Sequence, residues 1–199
     1  MNRKPGIPVV VTGFGPFGGH KVNASWEIAK TLPSFNLQSY GIELILQEIP
    51  VVYSIVNDTV PKLWKKHNPQ LVIHMGLKSI GSEITLETVA HRNEYTKADV
   101  LGKLPENGSA SGTHDVLHTG LNVSSVVDIL SNSPTVDVPI QESTNAGRYL
   151  CEFTFYTSLN INKMRTIFVH VPNFDKGYSV QQLASVIKEI ILLLLKQLL

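Results

Sequence analysis

The 199-residue sequence has only one cysteine, Cys151, and no excess of charge of either sign. A single thiol cannot form an internal disulfide, so a small secreted protein stapled by disulfides is excluded. The 17 basic and 16 acidic side chains give a formal net charge of +1, too little to attract nucleic acid or an anionic membrane. We therefore expect neither as a partner, and Cys151 is either a buried hydrophobic residue or a reactive thiol.

Long hydrophobic runs are also missing. The most apolar stretch, residues 190–195, is far shorter than the roughly 18–20 residues that a helix needs to cross a bilayer. The strand that follows residues 1–8 is too short for the hydrophobic part of a signal peptide. His114 and His118 would share a face only in a helix and have no obvious third ligand. We expect a cytoplasmic protein without a metal or other cofactor.

Short β-branched segments alternate with helical segments along the chain. Apolar patterning predicts strands at residues 9–12, 42–49, 71–75, 136–140 and 166–170, while 84–89 fits a strand or a helix start. Helices are predicted at 25–32 (with Ser25 as the candidate N-cap), 52–67 (with a kink or restart at Pro61), 123–130, 146–159 and from Ser179 onward. This alternation is typical of an α/β layer fold with a mostly parallel sheet. We expect one domain over residues 1–199, with a long irregular excursion at about 95–120.

The last predicted helix has one broad apolar face. Its members are Val180, Leu183, Ala184, Ile187, Ile191, Leu194 and Leu195. We interpret this face as part of the hydrophobic core, with a contact between subunits as the alternative. A monomer or a weak homo-oligomer is expected.

A glycine-rich segment, residues 13–18, directly follows the first strand. It matches the G-x-G-x-x-G pattern of dinucleotide-binding proteins, but the following helix is predicted to begin only near Ser25. A tight loop at the end of a strand is the simpler alternative, although it does not explain the aromatic residues Phe14 and Phe17. Aromatic side chains at this position favour the wall of a pocket.

Cys151 and His170 lie on a consecutive helix and strand. Cys151 falls near the start of a helix, where unpaired amides and the helix dipole favour a thiolate. His170 ends a strand, at the sheet edge where α/β proteins place functional side chains. The two can meet, because the helix starts at the edge where the strand ends, and an imidazole there can activate a thiol. A buried cysteine and a hydrogen-bonded strand-end histidine remain the alternatives.

An acid that orients the histidine would complete a Cys-His-acid arrangement. Spacing along the chain cannot choose among Glu83, Glu87, Glu94 and Asp115. Taken alone, Glu87 is better explained as a solvated surface carboxylate.

These motifs resemble the pyroglutamyl-peptidase I family (C15), cysteine peptidases that remove an N-terminal pyroglutamyl residue. The resemblance spans nearly the whole chain and rests on residues 10–18, 22–26, 84–87, 146–151 and 168–172. It is closer to the animal form than to the bacterial form, through residues 148–151 and Leu63-Trp64-x-x-His67.

The resemblance implies a three-layer α/β/α sandwich with a twisted mixed, mostly parallel sheet of the phosphorylase/hydrolase-like type. It implies small pyroglutamyl peptides as substrates and a thioester intermediate on Cys151. His170 would be the general base and acid, and Glu87 the acid that orients it. The residues implied to line the pyroglutamyl pocket are Phe14, Phe17, Tyr149 and Leu150. A catalytically silent homologue that binds capped peptides is the alternative.

Three segments depart from the bacterial pattern. Residues 78–82 replace an Ala-Gly-Gly-Arg stretch, and the arginine that helps to bind the oxyanion in bacterial members has no assignable counterpart in residues 91–97. The excursion at 95–120 is divergent as well. These differences leave a weaker activity or an altered preference beyond the pyroglutamyl residue open.

Overall fold

The computed structural model of the protein describes residues 6–19, 21–78 and 80–199. Within these ranges the strands are β1 Ile7–Phe14, β2 Ile42–Ile49, β3 Leu71–Lys78, β4 Ile84–Glu87, β5 Val89–His91, β6 Val116–His118, β7 Ile140–Ser143 and β8 Thr166–Pro172. The α-helices are α1 Ala24–Thr31, α2 Tyr53–His67, α3 Val123–Ser131, α4 Leu150–Asn162 and α5 Val180–Leu198. One residue of the divergent segment 78–82, Ser79, lies outside the described ranges.

Six strands form a mixed sheet in the order β2-β1-β3-β8-β4-β7. The first four are parallel to one another, whereas β4 runs antiparallel to β8 and parallel to β7. β5 and β6 pair separately as an antiparallel ribbon. The predicted α/β fold with a mixed, mostly parallel sheet and helices on both sides is confirmed.

The hydrophobic core is divided between the two faces of the sheet. Because side chains alternate along a strand, Val9 and Val11 of β1 pack with α1, α3 and α5, while Val10 packs with α2 and α4. The apolar face of α5 is buried in the first of these clusters, which confirms the predicted core packing of that helix. Among the described residues, no helix is both long and apolar enough to cross a membrane.

Helix α4 begins four residues later than predicted, at Leu150 instead of residue 146. The reason is the backbone of the preceding turn, where Gly147 has a φ of +96° and Arg148 a φ of +50°. Left-handed residues cannot belong to a right-handed helix. Cys151 is therefore the second residue of the helix, within its first turn.

Two predictions, the restart of the second helix at Pro61 and the strand at residues 136–140, need correction. Residues 53–67 form one continuous helix, so α2 does not restart at Pro61. Its buried face, including Val60 and Leu63, packs against the core, and tertiary packing of this kind outweighs local propensity. Strand β7 begins only at Ile140, directly after Pro139, because proline has no N–H to donate to the ladder.

The segment 95–120 is largely irregular and is held by specific contacts. It contains a 3₁₀ turn at Glu106–Gly108 and ends in β6. Its first part is tied to the start of α2 by buried Asp99, whose carboxylate accepts hydrogen bonds from the backbone N–H groups of Tyr53, Leu101 and Lys103. This attachment places the beginning of the segment beside the carboxyl ends of the parallel strands.

Candidate active site

His170 and Glu87 meet across the ladder between β8 and β4. The register pairs His170 with Thr85 and Phe168 with Glu87, so Glu87 stands diagonally to His170 on the same face of the sheet. Nδ1 of His170 lies 2.8 Å from Oε1 of Glu87, and both side chains are almost completely buried. A hydrogen bond to this carboxylate requires a proton on Nδ1, which leaves Nε2 for a second partner.

Cys151, in the first turn of α4, lies beside the same part of the sheet. Gly76 of β3 is the ladder neighbour of His170, and a Cβ atom at residue 76 would lie 2.6 Å from Sγ of Cys151. The same atom would lie 2.8 Å from the ring of Phe168. Only glycine leaves room for the thiol beside the imidazole, so this glycine serves a close approach of side chains.

The charge state of His170 depends on both neighbours. Burial lowers its pKa, but the negative charge and the hydrogen bond of Cys151, together with those of Glu87, outweigh burial and raise the pKa to about 9. The imidazole is therefore protonated at neutral pH. A charged imidazolium beside a thiol at a helix start is the environment in which cysteines act as thiolate nucleophiles.

A cavity of about 500 Å³ opens directly above these three side chains. The residues predicted from the resemblance to line a pocket all lie on its surface: Phe14, Phe17, Tyr149 and Leu150. Cys151, His170 and Glu87 line it as well, so the structure brings the seven predicted site residues together. A larger hollow of about 950 Å³ beside β2 has no cysteine or histidine among the described residues that line it.

The polar part of the cavity wall was not assigned from the sequence. It consists of Asn23, Lys78, Thr85, Lys97, Gln141, Ser143 and Asn145. These residues come from separate strands and loops and share no motif, so no local signal could have joined them. Only Asn23 and Thr85 of this set lie in family segments, and no role had been specified for either of them.

The first loop of the cavity is built around Asn23. Its Oδ1 accepts hydrogen bonds from N and Oγ of Ser25, which makes it the N-cap of α1, and its Nδ2 donates to the carbonyl of Gly15 at 3.0 Å. The predicted cap, Ser25, instead accepts a hydrogen bond from the backbone N–H of Phe14. The cap prediction was therefore wrong by two residues, because the hydroxyl of Ser25 is hydrogen-bonded to Phe14 at the end of β1.

The first glycine of this loop, Gly13, serves a close approach to α1 rather than a dinucleotide. A Cβ atom at Gly13 would lie 2.7 Å from the carbonyl oxygen of Ser25. Helix α1 begins at Ala24, whereas the dinucleotide fingerprint requires its third glycine, here Gly18, at the start of the helix. The strand–turn–helix geometry of a dinucleotide site is not formed.

The opposite wall of the cavity is held by Tyr149. Its ring meets that of Tyr53 edge-on, with 6.1 Å between the ring centroids, and its hydroxyl donates to the carbonyl of Ala98. Nζ of Lys97 lies 4.4 Å from the centroid of the Tyr149 ring, a cation–π contact. The start of the excursion therefore closes this side of the cavity.

Comparison with known proteins identifies the family of this chain. The sequence model of the pyroglutamyl peptidase family matches residues 7–187. The chain belongs to the pyroglutamyl peptidase family. Pyroglutamyl-peptidase 1 from Rattus norvegicus is 40% identical over 194 residues, which cover 95% of this chain and 90% of that protein, and the Homo sapiens protein gives the same values.

Solved structures of the pyroglutamyl peptidase family share the fold. Pyrrolidone carboxyl peptidase from Pyrococcus furiosus superposes with a TM-score of 0.84 at 26% identity, covering 96% of this chain and all of that one. Pyroglutamyl peptidase I from Bacillus amyloliquefaciens gives 0.76 at 26% identity, with 92% and 93% covered. The higher identity to the mammalian proteins supports the predicted animal type.

Proposed function

We propose that this member of the pyroglutamyl peptidase family hydrolyses the peptide bond after an N-terminal pyroglutamyl residue, with Cys151 as the nucleophile. The observation that carries the proposal is the alignment of Cys151, His170 and Glu87 at one end of a cavity with aromatic walls. Family membership implies pyroglutamyl peptides as the substrate class.

The cavity wall fits the chemistry of pyroglutamate. This residue is a small, flat, uncharged lactam, and aromatic rings such as those of Phe14, Phe17 and Tyr149 can cover its faces. The polar groups of the wall can pair with the lactam N–H and C=O. An open-chain glutamate would bring a carboxylate and an ammonium group into the same space, and burying unpaired charges is costly. Selectivity for the closed ring follows from this cost.

The reaction divides into two steps. The Cys151 thiolate attacks the pyroglutamyl carbonyl carbon, and the tetrahedral intermediate collapses to a thioester while Nε2 of His170 gives its proton to the leaving amine. His170 then takes a proton from water, which attacks the thioester, releases pyroglutamate and restores the thiolate. Glu87 holds the imidazole in the orientation and tautomer that both transfers need. Amides at the start of α4 are the candidate donors to the oxyanion.

A fluorogenic pyroglutamyl amide tests the proposal directly. The wild-type protein should release the fluorophore, and Cys151→Ala should reduce the rate by at least about 10³-fold, because no other group can form the thioester. The matching glutamyl amide should be cleaved far more slowly. As a control for folding, calorimetric binding of 2-pyrrolidone should survive in the variant. Binding without turnover in the wild-type protein would instead identify a catalytically silent homologue.

Other properties complete the proposal. We propose that residues 1–199 act as one domain and that the protein is cytoplasmic, a monomer or a weak homo-oligomer, without a nucleic-acid or membrane partner. The near-neutral charge and the burial of the apolar face of α5 support this view. Light scattering over a hundredfold range of protein concentration tests the oligomeric state.

A further inference from the structure

Glu152, the residue after Cys151, is a buried carboxylate to which the proposed reaction gives no task. It has no exposed surface and does not line the cavity. Its Oε1 accepts hydrogen bonds from the backbone N–H of His91 at 2.9 Å and from Nη1 of Arg148 at 2.7 Å, and lies 2.8 Å from Nδ1 of His91. Its Oε2 accepts one from the backbone N–H of Arg148 at 2.6 Å. Each oxygen therefore has a partner on the turn that precedes the nucleophile.

These contacts define a carboxylate that stays ionised inside the protein. Burial raises the pKa of Glu152, but the hydrogen bonds from the backbone and guanidinium of Arg148 and from His91 more than compensate and lower it. A buried ion is costly unless its remaining lone pairs are satisfied, so removing the charge or its partners must rearrange this region. The position of the carboxylate and the conformation of the turn therefore depend on each other.

The turn itself has an unusual backbone. Arg148 is a non-glycine residue with a φ of +50°, a conformation that side chains with a Cβ atom rarely adopt. Its N–H donates a hydrogen bond to Glu152, which ties this left-handed residue to the first turn of α4. The next residue, Tyr149, is the N-cap of α4 and its side chain makes no capping hydrogen bond in the described structure.

Glu152 therefore does for α4 what a capping side chain does elsewhere. A glutamate at the third position of a helix commonly reaches back to the backbone N–H of the N-cap. Here the glutamate reaches one residue further, to the backbone N–H of Arg148. The N-cap residue Tyr149 makes no side-chain hydrogen bond to the amides of the first turn. Through His91 the same carboxylate joins this turn to β5, two residues after the strand that carries Glu87.

We propose that Glu152 is a positioning residue, which fixes the Arg148 turn so that the helix-start amides point at the developing oxyanion. This inference rests on the proposed function, since it assigns a role within the thioester reaction. Correctly aimed amides act on the transition state and not on the bound lactam. The consequence of losing Glu152 should therefore appear in kcat rather than in KM.

The test compares Glu152→Gln with the wild-type enzyme on a pyroglutamyl coumarin amide. We expect kcat to fall by about 10- to 100-fold with KM changed less than about threefold, a smaller loss than that of a complete oxyanion donor. The affinity for an aldehyde analogue of pyroglutamate, which adds the thiol and forms a tetrahedral oxyanion, should fall by the same factor. Binding of 2-pyrrolidone, which carries no oxyanion, should not change.

Three further variants define the contact responsible. Glu152→Asp keeps the charge and should recover part of kcat. Arg148→Lys keeps the backbone N–H but removes the guanidinium, so its loss of kcat should be smaller than that of Glu152→Gln. Glu94→Gln is the control, because this exposed carboxylate approaches the same guanidinium only to 3.8 Å and should leave kcat within about twofold.

The outcomes separate this inference from the proposed function. A wild-type kcat in Glu152→Gln, or a parallel loss of 2-pyrrolidone binding and turnover, would overturn the positioning role. If Glu152→Gln does not fold, Glu152→Asp decides: reduced kcat with intact lactam binding supports the role, and an unchanged kcat overturns it. A wild-type protein that binds 2-pyrrolidone but has no turnover would overturn the proposed function instead.

Discussion

The protonation state of His170 is set by its two neighbours in the site, Cys151 and Glu87. The imidazole lies between the Cys151 thiol and the Glu87 carboxylate. Burial lowers its pKa, but these two neighbours outweigh burial and raise the pKa to about 9. The imidazolium is thus maintained through the physiological range and lost only in alkaline solution. This single raised pKa supplies both the charge that favours a thiolate and the proton that the leaving amine needs.

The pH–rate profile should reflect this arrangement. In the wild-type enzyme the alkaline limb of kcat/KM should have its midpoint near pH 9, because His170 loses its proton there. Glu87→Gln removes the carboxylate's hydrogen-bonding and charge contributions, so the midpoint should move to lower pH and kcat should fall at least about tenfold. Glu142→Gln, an exposed carboxylate on the neighbouring strand β7, is the control. An alkaline limb that stays at the same pH in Glu87→Gln would contradict the proposed role of Glu87.

The residue scale also explains which acid stands in the site. Glu83 is paired with Lys78, Glu94 is 80% exposed, and Asp115 is 75% exposed and bound to Arg92. Glu87 alone of the four candidates is buried against His170. Nothing in the spacing of these residues distinguishes them, because the choice depends on the antiparallel register between β4 and β8.

At the scale of secondary structure, the start of a helix can be predicted from the sequence where all the residues of its cap are close together in the chain. Helix α5 was predicted from Ser179 onward, and the structure has Ser179 as its N-cap in a capping box with Gln182. Both partners lie three residues apart, so the sequence contains the whole motif. Helix α1 differs because two residues of capping type, Asn23 and Ser25, compete, and the hydrogen bond from Phe14 to Ser25 decides between them.

The capping role of Asn23 leads to a prediction for the first loop. Asn23→Ala removes the cap of α1 and the hydrogen bond to Gly15 in the cavity loop, so it should cost about 1–2 kcal/mol of stability and also raise KM several-fold. The matched control is Asn122→Ala, which removes the exposed N-cap of α3 away from the cavity. It should lower stability without changing KM. Urea unfolding and steady-state kinetics on both variants check this, and equal effects on KM would contradict it.

At the scale of the whole molecule, the buried histidine His74 links the stability of the fold to pH. His74 of β3 is fully buried, its Nδ1 lies 2.8 Å from Oγ1 of Thr12, and its Nε2 has no hydrogen-bond partner among the described residues. Burial lowers its pKa to about 3. The ring is therefore neutral in the folded protein over the whole working range, and it couples folding to pH.

This coupling predicts that His74 destabilises the fold in mild acid. Below pH 6.5 the unfolded chain protonates His74, whereas the folded protein does not until about pH 3, so the contribution of His74 to the free energy of unfolding falls as the pH decreases. At pH 5 this single group should cost about 2 kcal/mol relative to pH 7. Urea unfolding between pH 7 and pH 5 measures the slope. His74→Gln should be less stable at pH 7 but should lack this contribution, and an identical slope in both proteins would refute the prediction.

The amino-acid sequence by itself determined the alternation of strands and helices, the near-neutral charge, and the placement of Cys151 and His170 at an adjoining helix start and strand end. These properties depend on composition and on residues close together along the chain, so hydrophobic period and caps are sufficient to predict them. The family segments added Glu87 and the pocket residues as expectations.

Only the tertiary structure decided which distant groups meet. The register of β4 against β8 selects Glu87, the missing side chain of Gly76 makes room for the thiol, and the left-handed turn at Arg148 moves the start of α4 to Leu150 and engages Glu152. Each of these joins residues between four and more than eighty positions apart through strand pairing or close packing. Such contacts leave no periodic pattern in the sequence, because they are chosen by the free energy of the packed molecule as a whole.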